Sequence, residues 1–338
     1  MPQQHLIGPF VRRFLVEELA RDRNFSPNTL KSYRDAIRLL FRFLDERHAT
    51  DPTRVTVEQV DDTLLREFLR DCTERRGNAP ATCNQRLAAF HSLFRFIGRQ
   101  EPELVEHAAR IQGIPFRRVP IPVMPYLDKP EIEALLTAPD RRHLQGRRDY
   151  ALLLFVYNTG ARASEAAGTN VADLRLAEAP SVLIRGKGRK DRVCPLWSRT
   201  AETLRELLGA RLAGPAEAPV FLNCRAQRIT RHGVYTLVER SVAKAAKVAP
   251  SLTGKRVSPH TVRHTTAVHL LRAGVDINTI RAWLGHVSLE TTNRYAEVDL
   301  EMKAQALATC ADNVPTPSPG NSPSWHRDSE LMEFLASL

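Results

Sequence analysis

Ile114-Pro115-Phe116-Arg117-Arg118-Val119-Pro120-Ile121-Pro122-Val123-Met124-Pro125 carries four prolines in twelve residues. Each proline removes a backbone donor and pushes its predecessor away from the helical region, so the stretch reads as an extended linker. It divides a chain of 338 residues, a length that suits two domains. The expected boundaries are 1–112 for a first domain, 113–125 for the linker, 126–312 for a second domain and 313–338 for a tail. The pair Arg117-Arg118 makes the linker itself a candidate for phosphate contact.

Upstream of the linker the pattern is helical throughout. Ser26-Pro27 is an N-cap followed by proline at the first helical position. From there Leu30, Tyr33, Ile37, Leu40, Phe41 and Leu44 recur at three- and four-residue steps, and Lys31, Arg34, Arg38 and Arg42 occupy the other face. A second helix is expected from Asp61 to Arg76, stopping at Gly77-Asn78. A third starts near Ala79-Pro80, with Leu87, Phe90, Leu93, Phe94 and Ile97 inward and Arg86 and Arg95 elsewhere. With a shorter helix inside Pro9–Ala20, this makes a four-helix bundle.

Downstream the pattern is mixed. Asp128 is placed to cap a helix, and Arg147–Asn158 is apolar nearly all round, hence a buried helix. Ser181–Ile184 and Arg192–Leu196 read as a hairpin across the turn Gly186-Lys187-Gly188-Arg189-Lys190-Asp191. Helices return from about Thr200. After Asn313 the chain is rich in proline and serine, and it ends with Leu331, Phe334, Leu335 and Leu338 at helical spacing. The fold class expected is mainly α with a small antiparallel β element.

Composition narrows the partners. Lys plus Arg total 49 against 38 acids, a net charge of +11, which attracts polyanions and favours nucleic acid. The longest apolar runs are far short of a membrane span, and the start lacks the basic and apolar regions of a secretory signal. Five scattered cysteines, Cys72, Cys83, Cys194, Cys224 and Cys310, form no C-x-x-C pair, which argues against a disulfide framework and a zinc site. A cytoplasmic protein without a metal or other cofactor is expected.

Five local patterns carry chemistry. In Thr159-Gly160-Ala161-Arg162-Ala163-Ser164-Glu165, Glu165 is spaced to orient Arg162 toward a phosphate; taken alone, the pair is an ordinary helix-surface ion pair. Lys187 lies between two glycines at the hairpin tip, where an ammonium could reach over a groove, and Lys190 is its alternative. In Ser258-Pro259-His260-Thr261-Val262-Arg263-His264 the cap and the proline start a helix, so His260 and Arg263 share its opening turns, with His264 a competitor for the histidine's role. Trp283-Leu284-Gly285-His286 ends a helix at the glycine. Tyr295 closes Thr291-Thr292-Asn293-Arg294-Tyr295, nine residues after His286. Singly, each has a bland reading as a surface or core residue. Together, two arginines, a lysine, histidines and a tyrosine suit phosphoryl transfer without a metal, because the transition state builds negative charge that guanidiniums neutralise. No loop of the G-x-x-x-x-G-K-[ST] kind accompanies them.

The motifs T-G-A-R-A-S-E, G-K-G-R-K-D-R, S-P-H-T-V-R-H, W-L-G-H and T-T-N-R-Y-A resemble, in order and spacing, the active-site signatures of the tyrosine recombinases, the phage integrase family, and in particular its Xer-like branch. The S-P-N-T-L-K-S-Y-R-D helix resembles that family's core-binding domain, so nearly the whole chain is covered. The resemblance implies a SAM-like helical core-binding domain and a mixed α/β catalytic domain. It implies that Arg162 and Arg263 clamp the scissile phosphate and that Lys187 is the general acid. It implies further that His260 assists proton transfer, His286 completes the pocket, Glu165 supports the site, and Tyr295 forms a 3′-phosphotyrosyl link. The implied partners are double-stranded DNA and further copies of the chain, a tetramer on two DNA sites joined through a Holliday junction, with or without a second recombinase. The apolar stripe Leu331–Leu338 would dock on a neighbour or pack on its own domain. Arg34, Arg38, Arg86, Arg95, Arg117 and Arg118 are the candidate DNA contacts. Integration or transposition of a mobile element or plasmid is the expected role, with chromosome-dimer resolution or type IB topoisomerase-like relaxation as alternatives.

Overall fold

The computed structural model describes residues 5–119, 125–186 and 191–285. The chain forms two compact units, Met1–Pro122 and Val123–Leu338, divided inside the proline-rich segment.

The first unit opens with α1 (Ile7–Arg13), which runs on as a π-helix over Phe14–Asp22. Then come α2 (Pro27–His48), α3 (Asp62–Glu74), α4 (Pro80–Gln100) and α5 (Val105–Gln112). The Ser26 hydroxyl accepts the Thr29 amide at 3.3 Å, the cap that its sequence predicts. The core is aromatic: Phe43, Phe68 and Phe90 meet edge to face at centroid distances of 5.6 and 5.7 Å, a favoured ring geometry. The expected count of four helices falls short, because α5 is an added element. At eight residues it is too short to show periodicity, and it is held by burial of Ala108 and Ile111 and by a 3.0 Å contact of His107 Nε2 with the Val60 carbonyl. The start of the expected linker belongs to this unit. Ile114 is buried in its core, and Asn84 pairs with both backbone groups of Arg117 at 2.8 and 2.9 Å.

The second unit begins with α6 (Lys129–Thr137), where the Asp128 amide donates to Glu131, and α7 (Leu144–Thr159). Tyr150 through Val156 are all buried, as a helix apolar all round must be. After α8 (Ala163–Gly168) come β1 (Leu174–Arg175), β2 (Ser181–Ile184) and β3 (Arg192–Pro195), an antiparallel sheet in that order. The predicted hairpin is β2–β3, with Val182 opposite Cys194. β1, at two residues, adds an edge that no periodicity could reveal. Then follow α9 (Ser198–Leu208), α10 (Arg231–Ala245), α11 (Pro259–Arg272) and α12 (Ile277–Leu284). None of the described helices is long and apolar enough to cross a membrane.

Candidate active site

α7 ends at Gly160, whose φ of +59° is the left-handed conformation that glycine adopts freely. A Cβ there would lie 2.3 Å from Leu284 Cδ2, so glycine is also the residue that lets α7 and α12 approach. The turn delivers Arg162 to the N-cap of α8. Its backbone amide donates to Glu165 Oε2 at 2.9 Å, and its Nη1 donates to Oε1 at 2.7 Å. The predicted pairing is thus present, with 37% of the arginine side chain exposed and the carboxylate buried behind it. Burial alone would raise the Glu165 pKa, but the hydrogen bond and charge of Arg192 and the two Arg162 donors outweigh it and hold the carboxyl at about 2. Glu165 is therefore ionised at neutral pH.

Ser258 caps α11 and Pro259 fills its first turn, as their sequence predicts, and this sets His260 and Arg263 near the helix start. Arg263 is buried at 2% exposure. It donates to the Gly160 carbonyl at 2.6 Å and the Leu284 carbonyl at 2.7 Å, tying the turns after α7 and α12 to α11. His260 is exposed, and its pKa is lowered by the surrounding protein and then by the charges of Arg263, Arg162 and Arg231, with Glu165 opposing. A neutral imidazole at that position can accept a proton. His264, one turn further on, is part-buried and is pushed down to about 4 by burial, His260 and Arg263. The two histidines differ in access: the exposed one faces solvent, and the other is part of the packing.

α12 ends at Gly285 with φ +66°, the predicted helix stop. The Gly186 amide donates to Asp191 Oδ1 at 3.2 Å, closing the base of the hairpin turn. Lys187, Lys190, His286, Tyr295 and the apolar stripe Leu331–Leu338 lie outside the described residues. The structure brings together Arg162, Glu165, His260 and Arg263, and adds a residue that the motifs did not single out. Arg192 Nη2 donates to Glu165 Oε2 at 2.8 Å, and its Nε donates to the Trp283 carbonyl at 2.8 Å. The signal was available: alternation along β3 puts Arg192 on the inward face with buried Cys194, where a charged residue needs a partner.

Among the candidate DNA contacts, Arg34, Arg38, Arg95 and Arg118 are exposed. Arg34 pairs with Asp35 at 2.7 Å, and Arg95 donates to Gln112 at 3.2 Å. Arg117 is spent inside its own unit, donating to Thr73 Oγ1 at 2.6 Å and to the Leu69 carbonyl at 3.3 Å. Arg86 is half-buried and turned toward Cys72, whose thiol it influences, and its Nη1 is buried without a hydrogen-bond partner among the described residues. Sequence pattern alone did not separate these two from the solvent-facing arginines. His5, Glu101 and Glu103 lie close enough to share a cation, but the His5 ring nitrogens already contact Glu58 and Glu103 at 2.6 and 2.8 Å.

Residues 125–302 match the phage integrase family and residues 12–101 match the phage integrase N-terminal SAM-like domain. A protein of Sinorhizobium fredii named as an integrase/recombinase, y4rC, is 38% identical over 100% of both chains. The tyrosine recombinase XerC of Pelobacter propionicus is 34% identical over 91% of this chain and 97% of its own. The fold is shared with the XerH site-specific recombinase in a post-cleavage complex with its difH substrate (TM-score 0.66, 23% identity, 87% of this chain and 83% of that one). It is shared also with the Tn1549 transposon integrase in complex with transposon right end DNA (TM-score 0.68, 17% identity, 89% and 98%). The SAM-like helical domain and the integrase domain that carries Arg162, Glu165, His260 and Arg263 are both matched: the chain belongs to the phage integrase family and is a site-specific tyrosine recombinase.

Proposed function

We propose that the chain cleaves and rejoins duplex DNA through a 3′-phosphotyrosyl intermediate formed on Tyr295. The observation that carries this reading is the cluster around Gly160, where a half-exposed Arg162 backed by an ionised Glu165 stands with Arg263 and an exposed His260 whose pKa is lowered. The Tyr295 hydroxyl attacks the scissile phosphorus while His260 assists removal of its proton. A bond from phosphorus to the tyrosine oxygen forms, the bond to O5′ breaks, and Lys187, or Lys190 in its place, gives O5′ a proton. Arg162, Arg263 and His286 neutralise the charge that builds on the non-bridging oxygens. The ester keeps the bond energy, so rejoining by a 5′-hydroxyl needs no ATP.

Exposed Lys31, Arg34, Arg38 and Arg42 along α2, with Arg95 and Arg118, supply phosphate contacts in the first unit, whereas Arg86 and Arg117 serve that unit's own packing. The chain acts as a tetramer on two DNA sites, passing through a Holliday junction in the cytoplasm. The role proposed is movement of a mobile element or plasmid, with chromosome-dimer resolution as the alternative; the relative matched over its whole length is named an integrase/recombinase. Two such relatives, y4rC and y4rD, occur in one organism, which suits a second recombinase as partner.

The test is a nicked suicide substrate that traps the covalent adduct. Wild-type protein is expected to form it and Tyr295→Phe to bind the same DNA without forming it. An adduct with the Phe variant would reject the nucleophile. Relaxation of supercoiled plasmid that carries no recombination site would favour the topoisomerase reading.

A further inference from the structure

Arg192 takes no part in the chemistry above, yet its guanidinium on β3 joins two other parts of the second unit. Nη2 holds Glu165 Oε2 on α8, and Nε holds the Trp283 carbonyl in the last turn of α12, each at 2.8 Å. The other carboxylate oxygen, Oε1, accepts from Arg162 at 2.7 Å. One carboxylate thus stands between a phosphate-facing arginine and a buried one. The next carbonyl of α12, that of Leu284, is taken by Arg263. Two guanidiniums therefore grip successive carbonyls at the negative end of the helix, just before the chain turns at Gly285 toward His286.

Packing does not account for this residue. The Arg192 side chain is 8% exposed, and its Nη1 is buried with no hydrogen-bond partner among the described residues. A buried ion pair is weak grounds for stability, because desolvation offsets the attraction and an apolar side chain of similar volume often serves as well. The surroundings are nonetheless shaped to it: a Cβ at Gly285 would lie 3.2 Å from Arg192 Cδ and 3.3 Å from Nη1.

We propose that Arg192 is a positioning residue of the cleavage site, which locks Glu165, and through it Arg162, to the end of α12 that leads into His286. It touches no substrate; it holds two parts of the phosphate pocket in one arrangement. This rests on the reading of Arg162 as a phosphate ligand and Tyr295 as the nucleophile.

Arg192→Lys and Arg192→Met are compared with wild type on the suicide substrate over a range of pH, with affinity for the uncleaved site measured alongside. An ammonium cannot span both acceptors with fixed arms, so Arg192→Lys is expected to lose roughly tenfold in cleavage rate and Arg192→Met about 100-fold, the scale of a small misplacement at a reacting centre. DNA affinity is expected to stay near wild type in both. Cleavage by Arg192→Met is expected to fall at higher pH on the acid side than that of wild type, because buried Glu165 loses the partner that keeps it ionised. The groups still facing that carboxylate would be Arg162 on α8, Cys194 on β3 and His260 on α11. Adding Glu165→Gln to Arg192→Met is expected to cost little more, since both act through one contact. A wild-type rate and pH profile for Arg192→Lys overturns the proposal, and that variant decides the matter alone if the Met variant does not fold. Tyr295→Phe runs beside them. An adduct with Phe rejects the underlying reading, and the proposal with it; a tyrosine-dependent adduct with a normal Arg192→Lys rate rejects the proposal alone.

Discussion

Arg162 and Arg263 are the same residue type beside one turn, that of Gly160, and the chain treats them differently. Arg162 is half in solvent with a carboxylate behind it, whereas Arg263 is buried and committed to two backbone carbonyls. The first should therefore be the more sensitive to shape. Arg162→Lys keeps the charge but loses the planar fork, and cleavage is expected to drop roughly 100-fold in single-turnover assays with DNA affinity little altered. Histidine protonation makes a second prediction at this scale. His260 has a pKa below the ordinary 6.5, so its neutral form persists to lower pH than that of a free imidazole. The acid limb of cleavage should have its midpoint below pH 6.5, and His260→Asn should remove that limb. A midpoint at or above 6.5 would contradict the role given to His260. Glu165 has the opposite use of a depressed pKa: from 4.5 down to about 2, the stability it contributes is present above the higher value and lost as pH falls toward the lower one. Acid-unfolding curves of wild type and Glu165→Gln should converge across that window and differ above it.

Helix ends, more than helix bodies, build the site. α7 stops at Gly160, α8 starts at Arg162, α11 starts beside His260 and α12 stops at Gly285, so four termini supply the turns from which the pocket is made. Both glycines have positive φ and little free space. Gly160→Ala is expected to destabilise by about 1–3 kcal/mol from backbone strain alone. The close approach to Leu284 adds to this, and chemical denaturation measures the sum. These ends were legible because their signals are local: Ser258-Pro259 announces a start, and a glycine after a periodic run announces a stop. What was not legible depended on contacts distant in sequence. Arg192 meets Glu165 across 27 positions and Trp283 across 91; alternation along β3 marks it as inward, but no local pattern names those partners. Arg86 and Arg117 likewise matched the surface arginines in sequence, and only the packing against Cys72, Thr73 and Leu69 shows their guanidiniums turned inward. Short elements were missed for another reason: α5 and β1 contain too few residues for a period to appear.

At the scale of the whole molecule, the surplus of 11 positive charges predicts binding that weakens steeply with salt. Each phosphate neutralised on duplex DNA should add about 0.9 to the slope of log affinity against log salt, and replacing Arg38 by alanine should lower that slope by about one contact. An unchanged slope would remove Arg38 from the interface. The family assignment fixes the class of chemistry more firmly than any single contact does, and the proposal places its covalent step on Tyr295. The most direct measurement is mass spectrometry of the protease-digested suicide-substrate adduct. The account predicts one modified peptide, carrying a nucleotide joined through its 3′-phosphate to Tyr295. A modification on another residue, or a link through a 5′-phosphate, would contradict it.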